Sequence, residues 1–377
     1  MNDAPHLRSP LECILPPNIL LNLAREGSPE QRDAALATLA VDQSFRLSRA
    51  EAAARTPARH TRAASLTAGG GQPHRSIYDQ HHSSAPKIGT LVRAEGAPPV
   101  GDGACNDAYD NFGATYSLYW DIFQRDSIDG QGMPIVGLVH FGTKYDNAFY
   151  DGQGHMFFGD GDGQLLTQTT KGLDVIGHEL THGVTQHEAN LTYSGQSGAL
   201  NESVSDVFGS LVKQYHLHQD AASADWLIGA DVVGPALQPA LRSMKDPGHA
   251  NPHDNQPADM DHYVQTSEDN GGVHQNSGIP NRAFYVVATT IGGNAWETAG
   301  KIWYATIRDP QLAPNASFAD FAKVTLTQAS ALFGPTSAEV DAVKAGWSAV
   351  KVPLASNPTA PTPHAHPTPH PHPTPHA

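Results

Sequence analysis

Hydrophobic positions along the chain change period several times. After the breaker Pro16-Pro17, Ile19, Leu20 and Leu23 recur at helical intervals, and "SPEQRDAALATLAVDQSFRLSRAEAAAR" continues as a second helix. Ser28 is its expected N-cap, with Pro29 at the first helical position and Gln31 three residues on, a pattern that satisfies otherwise free N–H groups. Residues 1–55 therefore read as a small helical unit, and a linker over 56–76 is centred on Gly69-Gly70-Gly71. From about 77 to 165 the reading is strand-rich: "MPIVGLVHFG" and "NAFYDGQGHMFFGDGDG" are apolar runs parted by Gly and Asp turns. Helical period returns near Leu173, and beyond 195 the chain reads as mostly helical, including "SGALNESVSDVFGSLVKQY", "NRAFYVVATTIG", "AWETAGKIWYATI" and "SFADFAKVTLTQASALF". The pattern predicts an α+β protein with a strand-rich lobe over 77–195, a central helix at its end, and a helical lobe over 196–352. In the last stretch, 353–377, closely spaced prolines favour extended backbone and forbid packing, so a disordered tail is expected. Its His364, His366, His370, His372 and His376 offer loose metal scavenging as a second reading.

Composition narrows the partners. The 377 residues suffice for two substantial domains, and 39% apolar content suits a globular chain. A formal charge of −15 argues against nucleic acid, which needs clustered Lys and Arg. No apolar run approaches the length of a membrane span. Cys13 and Cys105 are the two cysteines, and they imply no disulfide framework. The N-terminus lacks a basic region before its apolar pieces and is not read as a Sec signal peptide. That leaves export by a non-classical route or cytoplasmic action.

The chemistry concentrates in "DVIGHELTHGV", residues 174–184. His178 and His182 lie about one helical turn apart and project from one face, where two imidazoles can grip one metal ion. Three readings are open at this point: a zinc-hydrolase helix, a metal site without chemistry, and a chance pattern on a solvated face. Glu202, 24 residues after His178, offers a third ligand on the helix "GALNESVSDVFG", with Asp206 one turn further on the same face. A catalytic zinc takes three protein ligands and keeps an open position. Glu179 would then be the general base, taking a proton from zinc-bound water as that water attacks a carbonyl. Glu188 and His187 are expected to face solvent.

Three further stretches join this motif: "DNGGVHQNSGIPNRAFY" (269–285), "ALRSMKDP" (240–247) and "DNAFYDGQGHMFFGDGDG" (146–163). Together, over roughly residues 77 to 350, they resemble the thermolysin family of metallopeptidases. The resemblance implies a two-lobed peptidase with zinc on His178, His182 and Glu202, and with Asp206 and Asn201 orienting the histidines. It implies that Glu179 is base and proton shuttle, that Tyr193 and His274 stabilise the oxyanion, and that Asp269 holds His274 in its donor tautomer. Arg242 would grip a substrate carbonyl, while Asn147 and the Ala148 backbone would pair with an extended peptide as an added strand. Leu166, Val175, Ile228, Val232 and Leu241 match the primed-side pocket, which implies cleavage on the N-terminal side of bulky hydrophobic residues.

The chain departs from the family prototype in two places. Asp174 and Asp225 match ligands of its paired calcium site, but Lys213, Leu227 and Ala230 occupy three other ligand positions. A lysine ammonium repels a cation, so the double calcium site is expected to be absent. A single calcium around "GDGDG" stays open. The N-terminal "PPNILLNLAREGSPEQRDAALATL" resembles the short propeptide of the protealysin subgroup, which implies an intramolecular inhibitor removed on activation. Cys13, three residues before Pro16, is a candidate thiolate for zinc in the latent form; a small core residue is the plainer reading. The competing function is a metal-sequestering protein. Storage needs none of Glu179, Tyr193 and His274, whereas amide hydrolysis uses all three.

Overall fold

The computed structural model describes residues 12–55, 71–85 and 87–354. The tail from residue 355 and most of the expected linker lie outside the described residues. The chain opens with a short strand, β1 (Glu12–Cys13), and two helices, α1 (Pro17–Glu26) and α2 (Pro29–Arg55). Ser28 and Gln31 cap α2 reciprocally: Ser28 N–H donates to Gln31 Oε1 at 2.8 Å, and Gln31 N–H to Ser28 Oγ at 3.3 Å.

Next come β2 (Arg75–Asp79), β3 (Thr90–Ala94), α3 (Gly103–Phe123), β4 (Ile135–Val139), β5 (Ala148–Tyr150) and β6 (His155–Phe158). The strands order as β1-β5-β6-β4-β2-β3, with β4 parallel to both its neighbours and the other pairs antiparallel. The lobe expected to be strand-rich thus also carries a helix of 21 residues. Buried Tyr109, Phe112, Tyr116, Tyr119 and Phe123 recur along α3 at steps of three and four, and Asp102 caps its start.

The remaining elements are α4 (Leu173–His187), α5 (Gly195–Leu217), the short strands β7 (Leu227–Ile228) and β8 (Arg242–Ser243), and then α6 (Asp269–Asn276), α7 (Gly278–Ile291), α8 (Ala299–Arg308), α9 (Phe318–Phe333) and α10 (Ala338–Ala349). α4 packs closely on α5 because two glycines remove the side chains between them. A Cβ on Gly209 would lie 2.4 Å from the Asp174 carbonyl oxygen, and one on Gly177 would lie 3.0 Å from Gly209 Cα. That backbone contact brings His178 and His182 to the residues of the α5 face. At the end of α4, Glu188 does not stand free in solvent as expected. Its carboxylate pairs with the buried Arg125 and lies 3.6 Å from Arg308 Nε, because an internal guanidinium needs a counter-charge.

Candidate active site

His178, Glu179 and His182 are completely buried on α4. His178 Nδ1 lies 2.8 Å from Asp206 Oδ1, and His182 Nδ1 lies 2.8 Å from Asn201 Oδ1 and 3.0 Å from Ser205 Oγ. With those Nδ1–H protons donated outward, the two Nε2 lone pairs face one another at 3.0 Å. Glu202 Oε2 lies 3.5 Å from His178 Nε2, buried and without a hydrogen-bond partner. Lone pairs and an unpartnered carboxylate oxygen converging in a dry site call for a cation, and two imidazoles with one carboxylate are the donor set zinc takes. The ligand atoms of His178, His182 and Glu202 all lie within 4.8 Å of one another. The two rings respond to this surround in opposite directions. Burial opposes charge on His178, yet the adjacent carboxylates of Asp206 and Glu202 push it up to about 9. Burial pushes His182 down to about 3.

Glu179 points neither carboxylate oxygen at a hydrogen-bond donor. Burial raises its carboxyl to about 8, against the pull of His178. A buried carboxylate poised near neutrality and kept clear of partners suits proton transfer.

Tyr193 OH donates to Glu202 Oε1 and lies 3.2 Å from His274 Nε2. His274 reaches the site from a turn in which Asp269, Asn270, Gly271 and Gly272 all have positive φ, from 49° to 90°. Left-handed backbone at Asp269 is uncommon for a non-glycine, and it aims the carboxylate back at the helix. Asp269 Oδ1 lies 2.7 Å from His274 Nδ1, and its Oδ2 accepts the His274 backbone N–H at 2.9 Å. His274 Nε2 donates to the Cys13 carbonyl at 3.0 Å. With both nitrogens donating, His274 is an imidazolium. Burial opposes that charge, but Asp269 and Glu202 hold its pKa well above the ordinary range.

Arg242, on β8, is buried with Nε and Nη2 on Asp206 at 2.9 and 2.7 Å and Nη1 on the Ile14 carbonyl at 2.7 Å. β1 lies antiparallel on the edge of β5, pairing Cys13 with Phe149. Ile14 N–H donates to the Ala148 carbonyl at 3.1 Å, and Leu15 N–H to Asn147 Oδ1 at 2.9 Å. Leu15 is fully buried, as are Leu166, Val175, Ile228, Val232 and Leu241. α2 supports the arrangement: Thr38 Oγ1 accepts the Asp146 N–H at 3.2 Å, Asp42 accepts from Tyr145 OH at 2.5 Å, and Phe45 packs edge-on or tilted against Phe141, Phe149 and Phe157. The Cys13 side chain joins that aromatic group, with Sγ 3.6 Å from the Leu15 carbonyl, and its own carbonyl faces His274 Nε2.

Residue patterns alone did not single out Ser205, or Asn281, whose Nδ2 donates to Asp206 Oδ2 at 2.8 Å. Gln256 was also missed; it donates to the His274 carbonyl at 2.7 Å. Ser205 had a signal, standing three residues after Glu202 on the same helical face. Asn281 and Gln256 come from distant segments and had none.

A metal-binding triad across two helices, a free buried glutamate beside it and a peptide strand laid on the adjacent sheet edge define a metallopeptidase class. Models of the thermolysin metallopeptidase catalytic and alpha-helical domains match residues 37–186 and 189–352, and the chain belongs to that family of zinc metalloendopeptidases. An extracellular metalloprotease of Pectobacterium carotovorum subsp. carotovorum is 48% identical over 353 residues, covering 91% of this chain and 97% of that one. Protease PrtS of Photorhabdus sp. (strain Az29) is 45% identical over 333 residues, covering 85% and 87%. The solved precursor of protealysin, a metalloproteinase from Serratia proteamaculans, superposes with a TM-score of 0.80 at 46% identity over 91% of this chain and 100% of that one. Within the family the chain is of the protealysin type.

Proposed function

We propose that the protein is a neutral zinc endopeptidase, made as an autoinhibited precursor, that cleaves peptides on the N-terminal side of bulky hydrophobic residues. The observation that carries this reading is the path of residues 12–15. Glu12 and Cys13 pair with β5 and Ile14 donates to Ala148, the Cys13 and Ile14 carbonyls are held by His274 and Arg242, and Leu15 is fully buried. These are the contacts a substrate would need, and here the chain's own N-terminal unit takes them.

His178, His182 and Glu202 would hold a zinc ion, which would supply the Lewis acidity that activates water and polarises a carbonyl. Glu179 takes the proton of the attacking water and passes it to the leaving nitrogen. Tyr193 and His274 donate to the oxygen on which negative charge develops, a contribution of about 3 kcal/mol per donor in comparable sites. Arg242 holds a substrate carbonyl, while Asn147 and Ala148 pair with its backbone. In the precursor, His274 and Arg242 are engaged by Cys13 and Ile14, so neither is free for substrate.

In this reading residues 1–55 form the inhibitory unit and 56–76 the processing region, followed by lobes over 77–195 and 196–352 and the tail over 353–377. Among the described residues no helix is long and apolar enough to cross a membrane. The relatives' description as extracellular supports action outside the cell. Lys213 Nζ lies 2.9 Å from Asp225 Oδ2 and 3.5 Å from Asp174 Oδ2, so an ammonium stands where paired calcium would need oxygens. Calcium-selective chelation is expected to leave the melting temperature unchanged; a marked fall would contradict this part of the reading.

The test is casein hydrolysis by purified wild type beside Glu179→Ala, with chain length followed by mass spectrometry. Wild type should lose its N-terminal unit and cleave casein. Glu179→Ala should stay full length while binding zinc, with activity down at least ~100-fold, as expected for loss of a general base. Equal activity in the two proteins would overturn the reading.

A further inference from the structure

A second group of metal-ligating side chains gathers outside the cleft, where β4 ends beside the start of α3. Asp102 caps α3 through Oδ1, which accepts the Ala104 and Cys105 N–H groups at 2.9 and 3.4 Å. Its Oδ2 lies 2.8 Å from His140 Nε2. On the other side of the ring, His140 Nδ1 lies 2.9 Å from both oxygens of Asp160. Cys105 is completely buried, and one ligand atom each of Asp102, Cys105 and His140 lie within 4.8 Å of one another. His140 itself sits at φ 53°, a left-handed conformation uncommon for a non-glycine, which turns the ring between the two carboxylates.

A neutral imidazole has one N–H and can donate to only one of two carboxylates. With Nδ1–H on Asp160, the Nε2 lone pair faces Asp102 Oδ2 beside a cysteine sulfur. A carboxylate that fixes the outward nitrogen of a histidine, while its inward nitrogen meets other ligands, is the usual surround of a metal-bound histidine. We propose that Asp102, Cys105 and His140 form a second divalent-metal site, suited to zinc, which pins the start of α3 to the end of β4. Nitrogen, oxygen and sulfur donors together select a borderline-soft ion such as zinc. The His140 side chain is 20% exposed and that of Asp102 35%, so an ion and a completing water can reach the site. A proton is the competing occupant: His140 as imidazolium between Asp102 and Asp160, with Cys105 a buried thiol. Asp160 and Asp102 favour that charged ring against its burial, and burial raises the thiol to about 12, with Asp102 and Asp79 adding to it and Arg93 opposing.

Cobalt separates the two occupants. The full chain carrying Glu179→Ala, which keeps it intact, is stripped of metal and reloaded with Co(II). Bound metal is counted after gel filtration, and the near-ultraviolet band of a cobalt–thiolate bond is recorded. Two ions per chain and a thiolate band are expected. Cys105→Ser should lose the band and one ion, with helical content unchanged. His140→Asn, which tolerates left-handed backbone, should also lose one ion and keep the fold. His178→Ala should lose the other ion and keep the band, and Cys13→Ser should keep both. One ion per chain in the starting protein, or a band that survives Cys105→Ser, overturns the proposal.

Discussion

At the scale of single residues, Asp206 binds the site into one unit. Its two oxygens receive His178 Nδ1, two Arg242 nitrogens and Asn281 Nδ2. The Arg242 guanidinium is first among the partners that hold its carboxyl, despite burial, far below the usual carboxylate range. Asp206→Asn keeps the shape but strands a buried arginine and reverses one donor–acceptor contact. Zinc affinity is expected to fall about 10- to 100-fold, the usual cost of losing such a partner. Stability should fall by about 3 kcal/mol, because one member of a buried ion pair is left uncompensated. Chelator competition and thermal melting measure the two effects, and an unchanged zinc affinity would remove Asp206 from the proposed role. The sequence showed this layer unevenly. His178, Glu179, His182, Glu202 and Asp206 stand at helical spacings, so one face could be inferred from periodicity. Tyr193, Arg242 and His274 meet the metal ligands only through tertiary folding, and nothing but resemblance to a family pointed to them.

At the scale of elements, α3 was overlooked because Gly103, Asn106, Asp107 and Gly113 break its apolar run, although its aromatic positions keep helical steps. β1 had no local signal at all. Two residues form a strand only because β5 offers an unpaired edge. The start of β2 illustrates how such elements are fastened. Arg75 Nε and Nη2 meet Glu95 at 2.8 and 2.6 Å, and Tyr109 OH adds a bond at 2.9 Å. The Arg75 hydrogen bond holds the Glu95 carboxyl down at about 2. A depressed acid contributes stability above its unfolded pKa and loses it as pH falls toward the folded value. Glu95→Gln should therefore melt lower than wild type at neutral pH, by an amount equivalent to about 1 kcal/mol for this partly exposed pair. The gap should close as pH falls from about 4.5 toward about 2. A gap constant across that window would show that the ion pair contributes nothing.

At the scale of the whole molecule, two lobes were legible because apolar period changes near Leu173, and α4 and α5 then carry the ligands of both. Latency was visible only as a resemblance in the first 55 residues. The proposed manner of it needed the third dimension: Glu12 and Cys13 pair with the edge of β5, and α2 holds the neighbouring Asp146, Tyr145 and Phe149 through Thr38, Asp42 and Phe45. The most direct measurement is a time course of hydrophobic-peptide hydrolysis by freshly purified full-length chain, with intact mass recorded in the same samples and Ile14→Pro run beside it. Proline at 14 removes the N–H that Ile14 donates to the Ala148 carbonyl. Hydrolysis should begin with a lag and rise in step with loss of the N-terminal unit, and Ile14→Pro should shorten the lag. Full activity at the start from chains that keep residues 1–55, or silence after those residues are gone, would contradict the account.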